Sequence, residues 1–288
     1  MMRTHIRKFK LSDTFIDQYS DKEVPWGPLG YVTFKRTYAR RLNEFNPEAE
    51  GTEEWFQTCR RVIEGMFDMQ KQHVYKLGLE WNDQKAQRTA KDAYDRLFNL
   101  KWTPPGRGLW MMGTEFVQKR TAAGLFNCAF RSTKELPTHG GYLFSWMMDA
   151  LMLGIGVGFD TLGAGTVTIK QPTYTEDIHT IADSREGWVR SVNILLNGFF
   201  FGDEVPKFDY SAIRGPGAEI KGFGGTASGP GPLIELHDHL KELYTDRVGS
   251  PITSVDIVDT ENLIGRCVVA GNVRRSAALA IGGYNDKD

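Results

Sequence analysis

Beyond residue 103 the chain alternates between short β-type runs and helical apolar patterns, and that alternation constrains the fold more than any other feature. Residues 125–130 are strand-like, and 142–153 repeat apolar side chains at helical spacing up to Gly154, a residue that favours helix C-termini. Residues 166–169 form a second β-type run. Asp183 with Glu186 has the spacing of a capping box, ahead of a helix carrying Trp188, Val189, Val192, Ile194, Leu195 and Leu196. A helix is expected over 233–244, a long apolar stretch follows at 257–269, and 276–281 is expected to be a buried strand. Strands separated by helices imply an α/β fold with a mainly parallel sheet.

The first third differs. From about 33 to 100 the pattern is helical: Thr52, followed by Glu53 and Glu54, is the expected N-cap of a helix with Trp55, Phe56, Cys59, Val62, Ile63, Met66 and Phe67 on one stripe. Cys59 is therefore expected in a core. A second helix through Ala90, Ala93, Tyr94, Leu97 and Phe98 stops before Trp102-Thr103-Pro104-Pro105-Gly106-Arg107-Gly108. The turn-rich segment sets the expected boundary, with a mainly helical domain over 1–102 and an α/β domain over 103–288.

Composition excludes several classes. The 288 residues are 41% hydrophobic, ample for a core, and 35 basic against 36 acidic side chains leave a net charge of −1. No global field attracts nucleic acid or an anionic membrane, so neither is expected as a partner. Cys59, Cys128 and Cys267 are odd in number and widely spaced, which argues against a disulfide framework or a structural zinc and for a reducing compartment. The basic N-terminus lacks the apolar stretch of a signal peptide, and a cytoplasmic location with no bound metal is expected.

Two places invite chemistry. Cys128 stands in Leu125-Phe126-Asn127-Cys128-Ala129-Phe130, and the glycine-punctuated Gly154-Ile155-Gly156-Val157-Gly158-Phe159 follows. A thiol beside bare backbone suits a small polar ligand, yet an unpaired cysteine is also a common core residue, and the residues alone leave both readings open. The other place is Val269-Ala270-Gly271-Asn272-Val273-Arg274-Arg275-Ser276, a sharp turn whose adjacent guanidinium groups suit an anionic ligand. Gly222-Phe223-Gly224-Gly225-Thr226-Ala227 fits a loose GxGxxA, but no clear strand precedes it and no GK[ST] completes a Walker loop. A surface loop is the favoured reading there.

Taken in order, Thr103-Pro104-Pro105-Gly106-Arg107-Gly108-Leu109-Trp110, Asn127-Cys128, residues 154–159, Asp183-Ser184-Arg185-Glu186-Gly187-Trp188-Val189, residues 222–230 and residues 270–276 resemble adenosylcobalamin-dependent (class II) ribonucleoside-triphosphate reductases. Trp26-Gly27-Pro28-Leu29-Gly30-Tyr31-Val32-Thr33 is similar to that family's N-terminal region. The resemblance covers nearly the whole chain. It implies a helical region followed by the first half of a ten-stranded α/β barrel of the ribonucleotide reductase type.

The resemblance also assigns roles. Cys128 matches half of the reducing dithiol, Asn127, Gly154, Ile155 and Gly156 match positions lining the nucleotide pocket, and Gly271, Asn272, Val273, Arg274 and Arg275 match the specificity loop. It implies adenosylcobalamin as cofactor, a ribonucleoside triphosphate substrate, a deoxynucleotide effector and a thioredoxin-like reductant. The family's thiyl-radical loop and C-terminal cysteines have no counterpart up to Asp288, so a further polypeptide supplying the second half of the barrel is expected. Relatives with a longer insertion between the Gly154 turn and Asp183 build an effector site there, and this chain's segment looks short. A non-catalytic nucleotide-binding or assembly fragment is the alternative. An NAD(P)-dependent oxidoreductase is the other, although Asp246 is poorly placed to serve a dinucleotide fold.

Overall fold

The computed structural model describes residues 6–119, 121–218, 226–270 and 277–286. Two compact units divide the chain, Met1–Leu125 and Phe126–Asp288.

The first unit is helical: α1 (Asp13–Ile16), α2 (Pro28–Thr37), α3 (Trp55–Lys76), α4 (Asp83–Phe98), α5 (Gly106–Met111) and α6 (Glu115–Lys119). The stripe expected on α3 is buried, with Trp55, Cys59, Val62, Ile63 and Phe67 packed in one core with Ala90, Tyr94, Leu97 and Phe98 of α4. Polar atoms within this core are satisfied, since Trp55 Nε1 donates to Phe98 O (3.0 Å) and Tyr94 Oη to Phe56 O (2.9 Å). The cap of α3 is Glu54, in a reciprocal capping box with Gln57, and not Thr52. Thr52 pairs with Arg41 in an isolated antiparallel bridge instead.

The segment after Trp102 stays with this helical unit. Arg61 of α3 grips Glu53 through two bonds (2.7 and 2.9 Å) and also donates to Leu109 O (2.8 Å) and Met112 O. Gly65 lets the backbone of Gly113 come so near that a Cβ there would lie 2.5 Å from Gly113 Cα. Hydrogen bonds from a buried arginine to two backbone carbonyls and a glycine contact thus tie the segment after the Pro-Pro turn to α3, where sequence punctuation suggested a domain junction.

The second unit contains β1 (Cys128–Arg131), α7 (Leu136–His139), α8 (Tyr142–Met152), β2 (Gly156–Asp160), β3 (Thr173–Thr180), α9 (Arg185–Phe201), β4 (Glu204–Asp209), α10 (Gly231–Thr245), α11 (Ser254–Ala270) and β5 (Ala278–Ile281). One sheet has the order β1-β2-β5, all parallel, and a second pairs β3 with β4, also parallel. The fold is mixed α/β with parallel sheets. Helix α8 returns the chain from β1 to β2, as parallel neighbours require, and it packs on both strands. Helix α11 packs on α8, α10 and β5.

Several sequence expectations change here. Residues 166–169 do not form a strand: Thr168 makes an isolated antiparallel bridge to Pro251, and Ile169 N donates to Ser250 O (2.9 Å). The cap of α9 is Ser184, whose Oγ accepts from Gly187 N (3.1 Å), while Asp183 turns away to pair with Arg214. β5, at the edge of its sheet, is exposed along its whole length where a buried strand was expected, with Leu279 65% and Ile281 50% exposed. Among the described residues no helix is long and apolar enough to cross a membrane.

Candidate active site

The pairing of β1 with β2 sets Cys128 beside Gly156 and Phe130 beside Gly158, and β2 with β5 sets Gly158 beside Leu279. Side chains alternate along a strand, so Cys128, Phe130 and Leu279 share one face with the two glycines. The opposite face holds Val157 and Phe159, each 2% exposed, on the side where α8 packs. One face is therefore core and the other is open, with Cys128 exposed and Phe130 53% exposed.

The glycines leave room on that open face. A Cβ on Gly156 would meet nothing nearer than Ala277 Cβ and Asn127 O, both at 3.7 Å, whereas one on Gly158 would touch Phe130 Cδ2 at 3.0 Å. The Phe130 ring thus lies against Gly158, and the space over Gly156, next to the thiol, stays clear. Among the described residues, only the Ala277 methyl and the Asn127 carbonyl border that backbone, at ordinary contact distance.

Local chemistry explains why the turn sits where it does. Helix α8 ends at Leu153, and Gly154 takes φ +72°, a left-handed conformation that glycine adopts without strain. Gly154 N donates to Leu151 O (2.7 Å) and Ile155 N to Ala150 O (3.0 Å), the two bonds of a Schellman motif. Ile155 is 5% exposed and plugs the turn into the core. Gly156 N then donates to Asn127 O (2.9 Å), which starts the ladder and places the thiol. Asn127, Cys128, Gly154, Ile155 and Gly156 are accordingly brought together, with Ile155 contributing anchoring from beneath.

At the far end of β2, Asp160 accepts from Thr133 N (2.8 Å), Thr133 Oγ1 (3.0 Å) and Leu162 N (3.2 Å). Burial alone would raise its pKa, but these bonds and one from Ser132 hold the carboxyl below its usual range. The charged carboxylate pins the loop that leaves the sheet.

The other thiols are different in kind. Burial pushes Cys59 well above the ordinary thiol value and Cys267 up to about 12, and both are sealed in packed helices. All three cysteines are free. Among the described residues no group of three His, Cys, Asp or Glu is placed to hold a metal ion. Elsewhere in this unit His237 is enclosed between Ser191 Oγ (3.1 Å) and Tyr210 Oη (2.7 Å), and burial lowers its pKa to about 3, so the ring is neutral.

Gly271, Asn272, Val273, Arg274 and Arg275 lie outside the described residues, as does most of the 222–227 segment. Phe130 and Gly158 were not singled out from sequence as site residues. The two-residue spacing from Cys128 and from Gly156 was the available signal.

The sheet thus presents a free thiol on its open face beside a glycine of the neighbouring strand, in a parallel α/β unit. The family description "Ribonucleotide reductase alpha domain" matches residues 11–114, and "B12-dependent ribonucleotide reductase, insertion domain" matches residues 160–244. The chain is 43% identical to the adenosylcobalamin-dependent ribonucleoside-triphosphate reductase of Euglena gracilis, over 98% of this chain and 39% of the relative. It is 42% identical to a Dictyostelium discoideum protein named as a probable enzyme of the same kind, over 100% of this chain and 40% of the relative. A crystal structure of a B12-dependent (class II) ribonucleotide reductase superposes with a TM-score of 0.77 at 33% identity, over 97% of this chain and 45% of that one. The chain corresponds to the N-terminal portion of the adenosylcobalamin-dependent class II ribonucleotide reductases, and spans about 40% of the length of the curated relatives it matches.

The second match runs over β3, α9, β4 and α10 as far as Tyr244. β3 and β4 escaped notice because their exposed polar residues blur the alternation that marks a strand.

Proposed function

We propose that this chain supplies the helical N-terminal region and the first barrel strands of a reductase that converts ribonucleoside triphosphates to 2′-deoxyribonucleoside triphosphates. The observation that carries the reading is the exposed Cys128 thiol beside Gly156 on the uncovered face of the sheet. Asn127, Gly154 and Gly156 offer backbone to the ribose and its phosphates, and Ile155 holds that turn rigid from the core side. Cys128 acts as one half of a dithiol. When the 2′-hydroxyl leaves as water and hydrogen takes its place at C2′, two thiols lose two electrons and become a disulfide. The second thiol comes from a polypeptide region beyond this chain, since Cys59 and Cys267 are enclosed.

Adenosylcobalamin supplies radical initiation in such an enzyme. The described face offers a single wall, with Cys128, Phe130 and Leu279 all exposed, and does not by itself fit a corrin, so no residue of this chain is assigned to it. Gly271 to Arg275 act as the loop that relays the identity of a bound deoxynucleotide effector, with Arg274 and Arg275 on base or phosphate, and a thioredoxin-like dithiol regenerates the cysteine pair.

The test is reconstitution. Residues 1–288 mixed with a polypeptide carrying the remaining barrel and its cysteine loop should reduce ribonucleoside triphosphates in the presence of adenosylcobalamin and dithiol, and neither part should do so alone. Turnover by the isolated chain, after mass spectrometry has excluded a copurified partner, overturns the proposal.

A further inference from the structure

The N-terminal unit holds a feature that the chemistry above does not use. Residues 9–11 are strapped to two helices: Phe9 N donates to Asp68 Oδ1 and Leu11 N to Glu64 Oε1 (both 3.0 Å), and Gln87 Nε2 donates to Lys10 O (2.8 Å). These bonds fix the rim of a cavity of about 440 Å³ lined by Arg7, Lys10, Ser12, Asp13, Arg60 and Gln87 with Leu11.

The charges in that lining do not cancel. Arg60 is already engaged, through Nε with Glu64 (2.9 Å) and through Nη2 with Asp13 (2.8 Å). Arg7 and Lys10 make no side-chain hydrogen bond or ion pair among the described residues, and Ser12 precedes α1 without spending its hydroxyl on a cap. Among the described residues, three cations therefore stand against two carboxylates, Glu64 behind Arg60 and Asp13 in the lining, the latter 81% exposed, which leaves a net positive charge.

We propose that this cavity binds a small phosphate-bearing anion, with Arg7 and Lys10 as direct ligands, Ser12 as a hydroxyl donor and Asp13 as a competitor for the outer edge of Arg60. A volume of this order suits a small molecule. Phosphate oxygens accept from guanidinium and ammonium donors more strongly than neutral acceptors do. Asp13 is 81% exposed, so its pair with Arg60 exchanges at little cost, and a backbone rim already held by hydrogen bonds leaves only the side chains of Arg7 and Lys10 to be ordered on binding. The site lies within the first unit and stands independently of the thiol chemistry proposed for the second.

Equilibrium dialysis of the full 288-residue chain at low salt tests this, because it reads occupancy whether or not the chain self-associates, and because screening weakens such a site. The probes are radiolabelled inorganic phosphate, tripolyphosphate and ATP. Saturable binding is expected, weakened about tenfold or more by Arg7→Ala with Lys10→Ala and tightened several-fold by Asp13→Asn. It should be unchanged by Lys207→Ala, which removes an exposed cation paired with Glu176 in the other unit. Equal displacement by tripolyphosphate and ATP identifies the phosphates alone as the recognised group, while tighter ATP binding adds a contact to the nucleoside. Circular dichroism melting verifies that the double variant is folded. Absence of saturable binding for all three probes, or binding indifferent to the double substitution in a folded protein, overturns the proposal.

Discussion

The three cysteines of the native chain should react with an aromatic disulfide at very different rates, and the structure fixes the order. Reaction requires thiolate, and the fraction of thiolate falls tenfold for each unit by which a pKa exceeds the solution pH. Cys267 is pushed from the ordinary 9.0 to about 12, which alone lowers its thiolate about a thousandfold relative to a thiol at the ordinary value. Its 3% exposure adds a steric barrier, and Cys59, at 0%, is likewise pushed well above the ordinary value by burial. Only Cys128 is open to reagent. At pH 8, stopped-flow absorbance should show one fast equivalent, abolished by Cys128→Ser, followed by two equivalents released only as the chain unfolds. Two or three equivalents at comparable rates in native protein, or a fast phase that survives Cys128→Ser, would refute the placement of the thiol on an open strand.

Other perturbations follow from the packing. Gly113→Ala should destabilise by roughly 3 kcal/mol or more, since its Cβ would meet Arg61 O at 2.3 Å and φ is +78°; urea denaturation of the variant measures it. Gly156→Ala, with 3.7 Å clearance, should leave the urea midpoint nearly unchanged yet weaken nucleotide binding in the assembled enzyme. Glu261 is fully buried on α11 with Oε1 unpartnered, and burial holds its carboxyl neutral well above the ordinary 4.5. The unfolded chain releases that proton above about 4.5 while the folded chain keeps it, so stability declines as pH rises from there, and Glu261→Gln should flatten the decline in melts taken from pH 5 to 8. His237 acts on the acid side: its ring stays neutral down to about 3 in the folded state but protonates near 6.5 when unfolded. Stability should therefore fall between pH 6.5 and 3, less steeply in His237→Asn.

How much of this was legible in the sequence depended on whether a signal was local. Gly154 could be assigned to a helix end because one residue type answers one backbone need, and the structure shows the full pair of terminating bonds. The Cys59 stripe was legible because a 3.6-residue period survives any context. Cys128 could be singled out, but the thiol's exposure depends on which face of β1 the helices cover, and that is decided by α8, α11 and the pairing with β2. Caps were misplaced by one or two residues at both α3 and α9, where several adjacent polar residues could each serve and tertiary partners, such as Arg214 for Asp183, decide among them. The tie between Arg61 and the segment after the Pro-Pro turn is a pair of long-range hydrogen bonds to the Leu109 and Met112 carbonyls, with no local signature, so punctuation at Trp102 looked like a boundary. Residues 271–275, the loop expected to sense effector, are outside the described residues, and their role rests on the resemblance and on the proposal above.

The central claim is that Cys128 delivers reducing equivalents. In the complete enzyme, this chain joined with the remainder of the barrel, multiple turnover with external dithiol should be abolished by Cys128→Ser while nucleotide binding is nearly intact, and Cys59→Ser should cost stability alone. After a single turnover of the unsubstituted enzyme without reductant, peptide mass spectrometry should find Cys128 in a disulfide with a cysteine from outside residues 1–288. Sustained turnover by Cys128→Ser, or a free Cys128 thiol after turnover, would contradict the account.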